Sequence, residues 1–129
     1  MLGAAALALS PHLFAAYPSG DSQAVVVAGD TAVEIFVYKP AGYRGEGLIV
    51  SLHGLARNAE GYRDYGRKLA ERFGALLVAP LFDRERFPTW RYQRAGIARR
   101  DAQTGALSVE PAGERTGEIL RTIVDRVRA

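Results

Sequence analysis

Apolar residues in the first third of the chain fall into two β-branched runs, Gln23 to Ala28 and Thr31 to Tyr38, separated by Gly29-Asp30. A Gly-Asp step between such runs is turn chemistry, so the two read as an antiparallel hairpin. In the second run Val33, Ile35 and Val37 alternate with Glu34, Phe36 and Tyr38, the period of a strand with one face toward a core, which suits a hairpin at a sheet edge. Gly47 to Leu52 differs. Leu48-Ile49-Val50 shows no polar alternation, and such a run predicts a strand buried on both faces of a parallel sheet. From Ala59 to Phe73, Tyr62, Tyr65, Leu69 and Phe73 recur at spacings of 3, 4 and 4, predicting a helix with that face inward and Arg63, Arg67, Lys68 and Arg72 on its other faces. Asn58 suits its N-cap and Gly74 its stop. Ala75 to Ala79, closed by Pro80, reads as the next parallel strand, with the helix as crossover. Residues 81–113 show no period and predict a long irregular connection. From about Glu114, Ile119, Leu120, Ile123, Val124 and Val127 predict a second amphipathic helix with Thr116 as cap. The expected fold is therefore α/β: an N-terminal β-hairpin plus parallel strands with crossover helices, in one domain over residues 23–129.

Residues 1–22 fall outside that domain. Leu2 to Leu9 has the length of a signal-peptide apolar region and is too short to span a bilayer, so no stable membrane span is expected. No Lys or Arg precedes it, and the small-residue cleavage rule is met only loosely near Ala15 and Ala16. Secreted, periplasmic and cytoplasmic placements all stay open, and Tyr17 to Ser22 reads as a linker.

Composition removes several chemistries. With no cysteine there is no disulfide framework, thiolate zinc site or thiol nucleophile. His and carboxylates do not cluster at metal-ligand spacing, so no metal is expected. Gly54 to Gly61 lacks the Gly-Lys-Ser/Thr ending of a phosphate loop, and no Gly-x-Gly-x-x-Gly follows either strand, so no nucleotide cofactor is implied. The net charge of +3 comes from 15 Arg and 2 Lys against 14 acids. Arg84, Arg86, Arg91, Arg94, Arg99 and Arg100 lie close together, interleaved with Phe87, Trp90 and Tyr92. Arginine with aromatics suits nucleic acid, but Asp83, Glu85 and Asp101 sit among them and no nucleic-acid motif is present, so a solvated loop or the lining of a substrate cleft is the reading taken.

The order hairpin, strand ending in His-Gly, helix, strand, loop, helix resembles the N-terminal half of an α/β-hydrolase, nearest to secreted esterases of the polyhydroxyalkanoate-depolymerase and feruloyl-esterase type. The residues that carry the resemblance are Ser51 to Ala59 (Ser-Leu-His-Gly-Leu-Ala-Arg-Asn-Ala), Tyr62, Leu76 to Pro80 and Phe82-Asp83. Acyl transfer builds negative charge on a carbonyl oxygen, and fixed backbone amides stabilise it without reorganisation. The resemblance implies that one such amide is that of Leu55, that Gly54 lets the backbone turn tightly, and that His53 orients this oxyanion loop without being the catalytic base. It also implies a small-molecule or polymeric ester as substrate, no cofactor, and a nucleophile strand pairing directly with residues 47–52.

That nucleophile is missing from the sequence. Such hydrolases carry it in Gly-x-Ser-x-Gly, followed by an acid and a histidine. Ser10, Ser19, Ser22, Ser51 and Ser108 all lack that setting, and the histidines are His12 and His53. Ser51 and His53 are two residues apart on one expected strand, which invites a dyad. A buried strand serine usually bonds to backbone, however, and nothing in the sequence orients the histidine. The chain is therefore expected to be the front portion of a serine esterase or depolymerase, supplying the oxyanion-hole loop and inactive alone. The alternative is a non-catalytic α/β module binding a small ligand or partner through residues 81–100.

Overall fold

The computed structural model describes residues 17–128, so the expectations for the leader lie outside the described residues. The first two strands, β1 (Gly20–Ala28) and β2 (Thr31–Lys39), form the expected antiparallel hairpin around Gly29-Asp30. Gly29 has φ 62°, which the turn requires and glycine supplies without strain. Strand β1 starts at Gly20, opposite Lys39, so part of the expected linker belongs to the ladder. Next come β3 (Leu48–Val50), α1 (Ala59–Phe73) and β4 (Leu76–Pro80). The sheet order is β1-β2-β4-β3, with β3 and β4 parallel and β2 antiparallel to β4.

Helix α1 begins and ends as expected. The Asn58 side chain accepts from the Gly61 amide at 2.9 Å, and Gly74 closes the helix in the left-handed region. Its orientation corrects the sequence reading. The buried residues are Ala59, Arg63 and Ala70, whereas Tyr65, Leu69 and Phe73 are 77%, 47% and 57% exposed. Ala59, Arg63, Gly66 and Ala70 also share one helical face, about 100° round from the tyrosine stripe, since successive residues turn by that angle. A Cβ at Gly66 would lie 2.8 Å from a Leu77 methyl, so small residues let α1 sit close on the sheet and turn the large apolar stripe outward. Arg63 is buried because its charge is met by Asp64, Glu60 and Asp21, and its guanidinium lies over the Phe36 ring.

Beyond β4, the stretch expected to be irregular carries a short helix α2 (Thr89–Gln93), a hairpin of β5 (Ala98–Arg100) and β6 (Leu107–Val109), and a 3-10 turn at Ala112–Glu114. Arginine side chains donating to backbone carbonyls hold it, in place of an apolar face with a period. Arg91 reaches the carbonyls of Arg86 and Glu114, and Arg115 that of Glu110. Helix α3 (Thr116–Arg128) buries Thr116, Ile119, Ile123 and Val127. Thr116 does not cap it: its hydroxyl donates to the Arg91 carbonyl at 2.6 Å.

The two helices cover opposite faces of the sheet. Val33, Ile35, Val37, Leu76 and Val78 pack with Ile119, Ile123 and Val127 of α3, while Phe36 and Ala79 pack with Ala59 of α1. Strand β4 lies wholly buried at the centre, but β3, expected to be buried on both faces, is only half-buried because it is the last strand of the sheet among the described residues. No helix among the described residues is long and apolar enough to cross a membrane.

Candidate active site

Just beyond the C-terminal end of β3 the chain leaves the sheet through Ser51 to Asn58. The first step is still laddered: the Ser51 amide donates to the Val78 carbonyl at 2.9 Å, and its hydroxyl donates to the Tyr62 carbonyl at 3.2 Å. Ser51 is therefore engaged with backbone and makes no dyad with His53.

His53 is buried and ties the ends of β3 and β4 together. Its Nε2 accepts from the Phe82 amide at 3.0 Å, so the ring proton sits on Nδ1 and donates to the Gly54 carbonyl at 2.9 Å. Burial pushes its pKa below the ordinary histidine value, opposed by the bond to Gly54 and reinforced by the nearby Arg57 charge. A neutral imidazole with both nitrogens occupied holds the loop in place and has no lone pair left to take a proton from a nucleophile.

A second layer locks this arrangement. Tyr92 of α2 stacks on the His53 ring at 4.8 Å, and its hydroxyl donates to the His53 carbonyl. Arg57 packs on Tyr92 in turn: its guanidinium sits 4.4 Å from the Tyr92 ring centroid and donates to the carbonyls of Phe82 at 3.1 Å and Phe87 at 2.8 Å. Arg57 has φ 60°, a left-handed conformation costing a non-glycine residue about 1 kcal/mol or more. Its bonds to the β4 loop offset that cost. The sequence places Arg57 in the segment that carries the resemblance but gives neither residue a role in holding the loop. A positive φ at an arginine leaves no pattern, and for Tyr92 the only signal is its place among aromatics and arginines.

Gly54, Leu55, Ala56 and Arg57 form a turn in which the Arg57 amide donates to the Gly54 carbonyl at 3.1 Å. The glycine's role here is space. Its φ is not in the left-handed region, but a Cβ would lie 3.3 Å from the Tyr62 hydroxyl. The Leu55 carbonyl accepts from Arg84 at 2.9 Å, and the Leu55 amide donates to no acceptor among the described residues. The Leu55 amide is thus an uncommitted backbone donor on a turn where the carbonyls of Gly54 and Leu55 are both occupied. A largely apolar cavity of about 310 Å³ lies where Leu52 enters this loop, lined also by Phe82, Tyr92, Thr116 and Leu120 and by none of the residues of the turn. No group of three or more His, Asp or Glu among the described residues converges on a possible metal position.

No family model and no curated protein matches the sequence. Solved structures do. Poly(aspartic acid) hydrolase-1 from Sphingomonas sp. KT-1 is similar at 20% identity with a TM-score of 0.72, over 87% of this chain and 42% of that one. LpqC, a poly(3-hydroxybutyrate) depolymerase from Bordetella parapertussis, is similar at 23% identity with a TM-score of 0.73, over 92% of this chain and 40% of that one. The chain thus spans about two fifths of the length of the structures it matches. At this identity the likeness establishes the fold, and the chain carries part of an α/β-hydrolase fold.

Proposed function

We propose that this chain forms the oxyanion corner of a serine-type carboxylic ester hydrolase, with the nucleophile, acid and base supplied by sequence outside these 129 residues. The observation that carries the reading is the Leu55 amide, left without an internal acceptor on a loop that His53, Tyr92, Arg57 and Arg84 fix from four sides. When a serine oxygen attacks the ester carbonyl, that amide donates to the developing oxyanion. Because the loop is already held, the donor needs no reorganisation in the transition state. His53 and Gly54 shape the loop, and the apolar cavity beside Leu52 and Tyr92 accepts the acyl or alcohol side of the ester. Of the two similar structures, one is by name a depolymerase of poly(3-hydroxybutyrate), a polyester, which supports an ester as substrate class; the other is named for poly(aspartic acid), a polyamide.

Two measurements test this. The 129-residue chain alone is expected to leave p-nitrophenyl butyrate unhydrolysed; turnover abolished by Ser51→Ala would overturn the proposal by making Ser51 the nucleophile. In a protein that includes the elbow, Leu55→Pro removes the amide at the second position of a turn, where proline is well tolerated. Loss of one oxyanion donor is expected to lower kcat by about 10²- to 10³-fold with KM little changed.

A further inference from the structure

The arginine-rich segment divides into two groups. Arg84, Arg86, Arg91 and Arg100 each donate to a backbone carbonyl, those of Leu55, Ala32, Glu114 and Gly105 among them. The side chains of Arg94 and Arg99 make no hydrogen bond or ion pair among the described residues, and the Arg99 guanidinium lies over Trp90 at 5.4 Å. Both line a cleft of about 470 Å³ between α2 and the β5–β6 hairpin, together with Trp90, Ile97, Arg100 and Leu107. No acid lines this cleft. Glu85, Glu110 and Glu114 instead line an adjoining one of about 270 Å³, which shares Trp90 and Arg99 with the first.

We propose that the cleft of Arg94, Arg99 and Trp90 binds a carboxylate carried on an apolar chain. A guanidinium presents a planar fork that matches a carboxylate in two parallel hydrogen bonds, and it is weakly enough hydrated to leave water for such a pair. Stacking on Trp90 holds Arg99 in place in advance. The exposed apolar side chains of Ile97 and Leu107 give a hydrocarbon or ester chain a surface that a bare anion cannot use. In the second cleft Glu85, Glu110 and Glu114 stand beside Arg86, Arg91 and Arg99, so its charge is balanced, whereas the first cleft holds arginines with no acid. Helix α2 links this cleft to the catalytic corner, since Trp90 and Arg94 line the cleft while Tyr92 reaches the His53 carbonyl. A helix is about 10 Å across, so a short oligomer held by its acid end in the cleft can reach the corner. A fatty acid and the acid end of an oligoester both carry this chemistry.

Trp90 is the only tryptophan, so its fluorescence reports the cleft directly. Titrating the chain with octanoate is expected to give a saturable change, with none from octan-1-ol, octyltrimethylammonium or inorganic phosphate at the same concentrations. Arg94→Gln and Arg99→Gln, both at exposed positions, are together expected to weaken octanoate binding by tenfold or more, with the circular dichroism unchanged. A hydroxy-acid tetramer with a free carboxylate assigns the source: tighter binding than octanoate points to an oligoester end, weaker binding to a fatty acid. Equal saturation by octanol or by phosphate, or an unaltered affinity in the double variant, overturns the proposal. No ester is cleaved in this assay, so its failure leaves the proposed hydrolysis standing, and failure of the hydrolysis leaves this binding standing.

Discussion

Strands β3 and β4 run side by side, paired Leu48 to Leu76, Ile49 to Leu77 and Val50 to Val78, and are made of nearly the same residues. Yet every residue of β4 is buried and every residue of β3 is half-buried. The difference is one of neighbours: β4 is bonded to β2 on one side and β3 on the other, while β3 has a partner on one side only among the described residues. An apolar run without polar alternation suits full cover, and β3 lacks it. Helix α1 repeats the contrast within one element, with a small-residue face closed on the sheet and Tyr65, Leu69 and Phe73 facing out. The bare edge and the bare stripe are the surfaces against which the proposed remainder of the hydrolase would pack.

The same truncation on paired residues sharpens that comparison most. Leu77→Ala is expected to cost about 2–5 kcal/mol in urea unfolding, as for a fully buried leucine. Ile49→Ala, across the ladder, is expected to cost about 1–2 kcal/mol, because a half-buried side chain gives up less transfer free energy and leaves no closed cavity. Equal costs would break the distinction. Next in size is Arg57→Ala, which removes two charge-assisted hydrogen bonds to the β4 loop and keeps the strained φ. About 2 kcal/mol is expected by the same method, and Arg57→Lys, lacking the fork, is not expected to restore it.

A smaller effect is set by pH. His53 has a folded-state pKa below its unfolded value, so between the two the unfolded chain binds the proton and the folded chain does not. Its contribution is fully present above about pH 6.5 and is lost as pH falls from there toward the folded pKa. Melting temperatures measured across this range are expected to fall on acidification, and His53→Gln, which keeps an acceptor for the Phe82 amide, is expected to flatten the slope. Smallest is Leu69→Lys on the outward stripe. It is expected to change stability by no more than about 0.5 kcal/mol while lowering the binding of a hydrophobic dye. A large loss of stability would mean the stripe is packed after all.

Patterns carried by period and punctuation were legible in the sequence: the hairpin at Gly29-Asp30, the helix between Asn58 and Gly74, the parallel strand closed by Pro80, and the resemblance that the solved structures bear out as fold. Which side of α1 meets the sheet was not. Periodicity says that Tyr62, Tyr65, Leu69 and Phe73 share a face, but closeness of packing at Ala59, Gly66 and Ala70 chooses the other one. Residues 81–113 were illegible for another reason. Their order rests on guanidinium-to-carbonyl bonds from Arg57, Arg86 and Arg91, which depend on where the chain returns in space and leave no period. In the corner itself, His-Gly marked the place, but the clamp of Tyr92 and Arg57 lies 39 and 25 residues from its targets and could be found only in three dimensions.

The central claim is that the Leu55 corner serves a serine nucleophile, and the DNA beyond the codon for Ala129 tests it most directly. The account predicts, within about 20 codons given usual loop and strand lengths, an apolar strand to pair with β3 followed by Gly-x-Ser-x-Gly, with an Asp and a His further on. DNA carrying no such elbow in any frame would contradict it and leave a binding module in its place.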